Sequence, residues 1–142
     1  MVVYHFFAHY REHLMRELMQ DSDWEFEMIS DYKKVSGIKV IDPELAKLPT
    51  EAGGLRWNFV KNCSIFGKRQ PFLWQKGLLA RLSRDDYDAV IFLGSIYFIT
   101  TWIGMFKARR MGKQVLFWTH GFLGKDGVLL SRIRHAFYRR AD

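Results

Sequence analysis

The sequence is poor in cysteine and lacks the glycine motifs that mark several large enzyme classes. Cys63 is the single cysteine, so neither an internal disulfide nor a metal site built from cysteines is available, and we infer a reducing compartment. No G-x-G-x-x-G follows the first predicted strand, and no G-x-S-x-G occurs. The late glycine-rich loop is not a P-loop, because Lys125 is followed by Asp126. A standard dinucleotide site and a serine hydrolase are therefore disfavoured.

The amino terminus also lacks the basic leader of a signal peptide, and we expect a cytoplasmic protein. The 142 residues, 49% of them hydrophobic, predict one packed domain spanning residues 1–142. The net charge of +7 indicates an anionic partner: a phospholipid surface, a phosphorylated sugar or a nucleic acid. Charge alone does not choose among these three.

A strand–helix–strand unit organises the chain. Ala89–Leu93 is a short, continuous apolar run, which is typical of a strand covered on both faces. After Gly94-Ser95, apolar residues at three- and four-residue steps predict a helix from Ile96 to Met111, with cations in its last turn. A second buried strand is predicted from Gln114 to Trp118. Short joints make this a βαβ unit.

A membrane span is the alternative interpretation of this region. The segment from Ala89 to Phe106 has 18 residues and no charged side chain, and positive residues follow it directly. Gly94-Ser95 and Thr100-Thr101 lower the hydrophobicity of this segment, and a second predicted buried strand follows it. We therefore favour the βαβ interpretation.

The rest of the chain supplies further short elements. They are strands at Val2–Phe7, Trp24–Ile29 and Ile38–Ile41, an extended segment at Leu55–Phe66, a basic loop at 67–71, and helices at Tyr10–Gln20, Phe72–Leu82 and Val128–Arg140. The alternation in Trp24–Ile29 predicts one solvated face near a sheet edge. The last helix is expected to bury one apolar face, made of Val128, Leu129, Ile133, Ala136 and Phe137, and to carry arginines on the other. This order predicts an α/β fold: a Rossmann-like, mostly parallel sheet with helices on both faces.

Three joints are candidates for a binding site, because open α/β sheets bind ligands at the carboxyl ends of their strands. They are His9-Tyr10-Arg11, Gly94-Ser95 and Thr119-His120-Gly121, and we expect them to line one crevice. His120 is the candidate catalytic residue, able to bond a sugar hydroxyl or to move a proton near neutral pH. A histidine that caps the next helix or ties down its loop is equally consistent with the sequence.

The other candidates each have a structural alternative. Arg11 suits a phosphate or a carboxylate, or is a solvated residue of the first helical turn. Gly94 allows close ligand approach, or is a simple turn. His5 and His9 lie four residues apart, but on a predicted strand and its joint and not on a helix, so no metal site is expected. His135 is predicted to be solvated.

Six segments resemble one enzyme group when they are taken in order. They are His5–Arg11, Trp74–Leu79, Tyr87–Ile91, Ala108–Val115, His120-Gly121 and Tyr138–Asp142. The series resembles the N-terminal domain of GT-B type glycosyltransferases, nearest to the family 4 enzymes that build bacterial surface polysaccharides and lipopolysaccharide. The resemblance is weakest from Asp31 to Arg69.

The resemblance implies a retaining hexosyltransferase without metal or other cofactor. In that family the N-terminal domain holds a glycan or lipid-linked acceptor, and a C-terminal domain grips the nucleotide-sugar donor. The family histidine that faces the transferred sugar matches His120. The family glycine near the donor phosphates has no counterpart in Ala8-His9-Tyr10-Arg11. Nothing corresponds to the donor domain, so the chain is expected to be inactive alone.

A non-catalytic module is the alternative function. Basic residues mix with aromatic ones along Lys68–Lys76 and along the last helix, which suits binding to an anionic membrane surface or to a partner. In either function nucleic acid is not an expected partner. The location is then the cytoplasm, with peripheral attachment to the inner face of the cytoplasmic membrane in the membrane-binding case.

Overall fold

The computed structural model describes residues 1–21, 23–33, 37–65, 72–119 and 127–142. These residues form two compact units, Met1–Lys61 and Asn62–Asp142. The predicted basic loop at 67–71 lies outside the described residues, and so do the candidate residues His120 and Gly121. The prediction of a single domain over the whole chain stays a prediction.

Three short parallel strands form the sheet of the first unit. They are β1 (Val2–Val3), β2 (Met28–Ser30) and β3 (Trp57–Phe59), and β2 lies between the other two. Val2 pairs with Met28, and Met28 pairs in turn with Trp57. The parallel pairing places the carboxyl ends of all three strands at one edge of this sheet.

One helix, α1 (Glu12–Gln20), follows β1 after a 3-10 turn at His9–Arg11. It buries Met15 and Met19, while Leu14 on the same predicted stripe is 43% exposed. The predicted first helix is therefore confirmed, with a narrower buried face than its apolar pattern indicated.

The first predicted strand is shorter than expected. The prediction ran to Phe7, but β1 ends at Val3. Tyr4 N still donates to Ile29 O at 3.0 Å and Asp31 N donates to His5 O at 3.2 Å, and the chain then pairs with a different segment. The carbonyl of Phe7 accepts a hydrogen bond from Ile41 N at 3.0 Å, and Ala8 forms an isolated antiparallel bridge with Val40. The predicted strand at 38–41 is therefore reduced to isolated bridge residues at Ile38 and Val40.

The predicted edge strand at Trp24–Ile29 is also wrong in position. The observed strand β2 begins only at Met28, and all three of its residues are buried. A strand lies on each side of it, so it has neither a solvated face nor an edge position. The alternating residues before Met28 belong to the connection that leads into the sheet.

The second unit contains the predicted βαβ arrangement, with β6 (Ala89–Leu93), α3 (Ile99–Arg110) and β7 (Gln114–Trp118). The two strands are parallel and in full register, from Ala89 opposite Gln114 to Leu93 opposite Trp118. The run from 89 to 106 is thus shared between a strand and a helix. Among the described residues, no helix has the length and apolar character needed to cross a bilayer.

A second pair of strands replaces most of the helix predicted from Phe72. These strands are β4 (Lys61–Ser64) and β5 (Leu73–Lys76), and the helix α2 (Leu78–Arg81) has only four residues. Leu73 N donates to Tyr97 O at 3.0 Å, so a long-range bond holds this segment extended. Gly77, with a φ of 99°, then separates strand from helix. The extended conformation predicted for Leu55–Phe66 is confirmed by β3 and β4.

Helix α3 buries the side opposite to its most apolar stripe. Ile103 and Phe106 are 43% and 49% exposed. The buried positions are mostly small or polar: Thr100, Thr101, Gly104, Met105 and Ala108. A Cβ on Gly104 would lie 2.9 Å from Leu82 Cδ1 and 3.2 Å from Phe92 Cζ, so small residues let α3 approach its neighbours closely.

The last helix, α4 (Val128–Tyr138), also exposes most of the apolar face that was predicted to be buried. Phe137 alone of its predicted inner face is buried, stacked on Phe117 at 4.4 Å and packed on Trp102 at 4.7 Å. The predicted burial of Val128, Leu129, Ile133 and Ala136 is wrong, and all four are exposed. The ring contacts of Phe137 fix which side of α4 faces the unit.

The fold class predicted from the sequence is confirmed. The protein is a mixed α/β structure: β1–β3 pair in parallel in the first unit, β6 and β7 pair in parallel in the second, and helices flank the strands. This arrangement is consistent with a Rossmann-like fold.

Candidate functional site

The carboxyl ends of β6 and β7 bring three of the predicted site residues together. The ladder between these strands continues one step past Leu93, since Gly94 N donates to Trp118 O at 2.9 Å. Ser95 N then donates to Leu93 O at 2.7 Å, which closes a tight turn. Thr119 follows β7 directly and is exposed. Gly94, Ser95 and Thr119 therefore share one strand end.

Tyr138 joins this strand end from the last turn of α4. Its hydroxyl donates to the carbonyl oxygen of Gly94 at 2.7 Å and lies 3.4 Å from Oγ1 of Thr119. The edge-to-face contact of its ring with Phe117, with centroids 5.6 Å apart, fixes the direction of the phenol. The strand end is thus lined by two hydroxyls and a backbone carbonyl.

Gly94 lies at the centre of this turn, as one of its two sequence alternatives predicted, and it also has a role in packing. A Cβ at this position would lie 3.0 Å from Cε1 of Tyr138 and 3.2 Å from Cβ of Thr119. The glycine is therefore needed for the close packing of Tyr138 against the strand end. It is more than a simple turn, and the space beside its Cα is filled by protein atoms.

The candidate catalytic residue directly follows this cluster. Thr119 is the last described residue before His120, and the next described residue is Gly127. The role of His120, and that of Gly121, stays a prediction.

The remaining predicted residues lie in the first unit, in the turn before α1. His9 is fixed to a neighbouring segment: its backbone N donates to Lys39 O at 2.9 Å, and its ring Nδ1 lies 3.1 Å from the same oxygen. Tyr10 is 68% exposed. That these residues line one crevice with the ends of β6 and β7 also stays a prediction.

Arg11 is buried, and this overturns the solvated alternative. Its side chain is 8% exposed, and its guanidinium carbon lies 4.7 Å from the centroid of the Tyr4 ring and 5.9 Å from that of Tyr10. A cation over an aromatic face is stabilised by the ring quadrupole, more strongly where water is excluded. Arg11 therefore places a fixed positive charge beside the carboxyl end of β1.

His5 lies in the same cluster and has a strongly perturbed pKa. Burial, and then the positive charge of Arg11, lowers the pKa of His5 from 6.5 to about 4. Burial also raises the pKa of the Tyr4 phenol, although hydrogen bonding and charge from Arg11 oppose this shift. At neutral pH both groups are uncharged, so they are suited to hydrogen bonding more than to proton transfer.

Sequence reasoning did not assign a site role to Tyr138, Tyr4 or His5. Tyr138 lies 44 positions from Gly94 in the chain, so the local pattern carries no sign of their contact. His5 was considered only as a metal ligand with His9. Among the described residues, no group of three or more His, Cys, Asp or Glu side chains is placed to hold a metal ion.

Comparison with protein-family models, curated proteins and solved structures gives no match for this chain. The resemblance to glycosyltransferases stays a prediction from the sequence.

Proposed function

We propose that the chain is the acceptor-binding half of a glycosyltransferase. In this proposal a sugar moves from a nucleotide-sugar donor to a glycan or lipid-linked acceptor, and the acceptor binds at the carboxyl ends of β6 and β7. The acceptor-binding half is proposed to be inactive by itself, because in the enzymes that it resembles a second domain grips the nucleotide-sugar donor. His120, next to Thr119 in the chain, is the proposed catalytic residue.

The observation that carries the proposal is the contact between Tyr138 and the β6–β7 strand end. It ties a helix to the end of a parallel strand pair, where open α/β sheets bind ligands. The exposed hydroxyl of Thr119 can both donate and accept hydrogen bonds, as sugar hydroxyls require. Tyr138 fixes the position of the Gly94 carbonyl beside it, so the polar groups are preorganised.

Glycoside binding tests the proposal without a donor. Binding of octyl hexosides is measured by calorimetry for the unmodified chain and for the variants Thr119→Val and His120→Gln. Loss of one hydrogen bond to a sugar hydroxyl costs about 1 kcal/mol, so each variant should weaken binding about fivefold. Thr50→Val and His13→Gln remove the same groups in the first unit and should leave the affinity unchanged.

Two outcomes count against the proposal. One is that none of a set of octyl hexosides binds at millimolar concentration to the unmodified chain. The other is that Thr119→Val and His120→Gln bind as tightly as the control variants, which would move the sugar away from the ends of β6 and β7.

A further inference from the structure

The outer edge of β3 is open. β3 (Trp57–Phe59) pairs with β2 on one side, and within the described residues no strand lies on its other side. Met28 N donates to Arg56 O at 2.7 Å, and Val60 N donates to Ser30 O at 3.0 Å. The even-numbered residues from 56 to 60 therefore turn their backbone groups toward β2.

The backbone groups at the outer edge belong to Trp57 and Phe59. Backbone groups alternate in direction along a strand, so the N–H and C=O groups of these two residues point away from β2. Neither residue makes a hydrogen bond through these groups within the part of the chain that the structure describes. The edge thus offers two donors and two acceptors to a further strand.

The same edge carries exposed aromatic surface. Phe59 is 45% exposed and Tyr32 is 46% exposed, and their ring centroids lie 5.0 Å apart in an edge-to-face arrangement. The ring of Phe59 also lies 4.9 Å from that of Trp57, which is buried and donates from Nε1 to Ser30 Oγ at 3.0 Å. The sheet therefore fixes the position of the exposed rings, and their area adds to what a partner strand can bury.

The distribution of charge favours contact between two copies of the first unit. Residues 1–61 contain eight Lys or Arg and ten Asp or Glu, whereas residues 62–142 contain fourteen and five. The net charge of +7 therefore comes from the second unit. Electrostatic repulsion between two copies is smallest where their first units meet.

We propose that β3 pairs with β3 of a second copy of this chain, in antiparallel orientation about a twofold axis at Asn58. The spacing of the outward backbone groups carries this inference. Trp57 of each copy then lies opposite Phe59 of the other, and each copy satisfies all four groups of the other's edge. Phe59 of each copy also packs across the strands on Trp57 of the other, which is a favourable aromatic pair.

The inference goes beyond the proposed function and does not rest on it. β3 belongs to the first unit, whereas the proposed acceptor site lies at the ends of β6 and β7. Self-association is measured without sugar. Its absence would leave the acceptor proposal unaffected, and absence of glycoside binding would leave the strand pairing unaffected.

Sedimentation velocity over a series of protein concentrations tests the pairing. The unmodified chain should form a reversible dimer. Phe59→Ala removes the ring and should weaken dimerisation about tenfold, because the aromatic pair is lost twice in each dimer. Phe59→Pro also removes the outward N–H and should weaken dimerisation about 30-fold further, through two lost hydrogen bonds. Proline is tolerated at an edge position whose N–H does not bond the neighbouring strand.

A matched control separates position from composition. Phe106 is a 49% exposed phenylalanine of the second unit, and Phe106→Ala should dimerise like the unmodified chain. Urea denaturation of every variant separates loss of association from loss of folding.

Cysteine cross-linking locates the axis without removal of any outward backbone group. In the proposed pairing the Cα atoms of the two Asn58 residues are about 4.5 Å apart, a distance that a disulfide spans. In a Cys63→Ser background, Asn58→Cys should form a disulfide-linked dimer on mild oxidation. It should do so at least tenfold faster than Glu51→Cys, which lies at another exposed position of the first unit.

Three outcomes would overturn the proposal. One is a chain that stays monomeric up to millimolar concentration, and another is equal dimerisation of Phe59→Pro and Phe59→Ala. The third is equal cross-linking of Asn58→Cys and Glu51→Cys. Loss of the dimer in Phe106→Ala, with the Phe59 variants unaffected, would place the interface on α3 instead.

Discussion

The hydroxyl of Tyr138 donates a hydrogen bond to the carbonyl oxygen of Gly94 at 2.7 Å, and this bond ties the end of α4 to the end of β6. It connects residues 44 positions apart and closes the strand end over which the proposed site lies. The same contact explains why position 94 is a glycine, because a larger residue would collide with the phenol ring. The contact between Tyr138 and Gly94 therefore contributes both to the stability of the fold and to the shape of the proposed binding site.

Removal of the phenolic hydroxyl should destabilise the protein modestly. Tyr138→Phe keeps the ring contact with Phe117 but loses the bond to Gly94, which should lower the free energy of unfolding by about 1 kcal/mol. Urea denaturation measures the change. Tyr10→Phe is the matched control, because Tyr10 is 68% exposed, and it should change stability by less than about 0.5 kcal/mol. Equal effects of the two variants would show that the bond contributes nothing.

Addition of a methyl group at position 94 should lower the free energy of unfolding more than loss of the Tyr138 hydroxyl does. Gly94→Ala forces Tyr138 or Thr119 to move, and overpacking of this kind costs about 1–3 kcal/mol. Gly127→Ala is the control, since nothing lies within 4 Å of its added Cβ. Its cost should stay below about 1 kcal/mol, the usual preference for glycine over alanine at a helix N-cap. Thermal or urea unfolding compares the two variants. An unchanged stability of Gly94→Ala would contradict the close packing of Tyr138 and Thr119 against Gly94.

His5 should make the protein sensitive to mild acid. Above pH 6.5 the imidazole is neutral in both the folded and the unfolded chain. Below it the unfolded chain takes up a proton, which the folded chain resists until about pH 4. Stability is therefore lost as the pH falls through this window, by about 2 kcal/mol at pH 5.

Urea denaturation at pH 7 and pH 5 checks this effect. His5→Gln should remove that part of the pH dependence, whereas His13→Gln, at a side chain that is 88% exposed, should retain it. His5 is not the source of the acid sensitivity if the unmodified chain and His5→Gln lose equal stability between the two pH values.

The orientation of α3 can be checked with two neighbouring positions. Met105 is fully buried, so Met105→Ala should cost about 2–5 kcal/mol through lost contacts and the cavity left behind. Ile103 is 43% exposed, and Ile103→Ala should cost less than about 1 kcal/mol. Urea denaturation of both variants gives the comparison. The reverse order of costs would mean that the apolar stripe of α3 faces the core after all.

The sequence predicted the βαβ unit well because its signals are local. Ala89–Leu93 and Gln114–Trp118 match the observed strands residue for residue, since they contain runs of five and four apolar residues between turn signals. The intervening helix was also predicted, with a start three residues too early. Such runs need no information from distant parts of the chain.

Elements fixed by distant partners were not predictable in this way. Strand β5 depends on a bond from Leu73 to Tyr97, and the conformation at Phe7 and Ala8 depends on pairing with Ile41 and Val40. Helical periodicity showed that Leu129 and Ile133 share a face. It could not show that Phe137 alone would take the buried side. Local sequence patterns also could not place Tyr138 in the candidate site, because only tertiary packing brings it to Gly94.

The most direct test of the proposed acceptor site is residue-resolved. Amide chemical shifts are recorded while an octyl hexoside is titrated into the ¹⁵N-labelled chain. The proposal predicts that the largest chemical-shift changes occur at the amides of Gly94, Ser95 and Thr119, and that the Tyr138 amide shows the next largest change. The amide of the control residue Thr50 should not shift. Saturable shifts confined to other residues, with the ends of β6 and β7 unchanged, would contradict it.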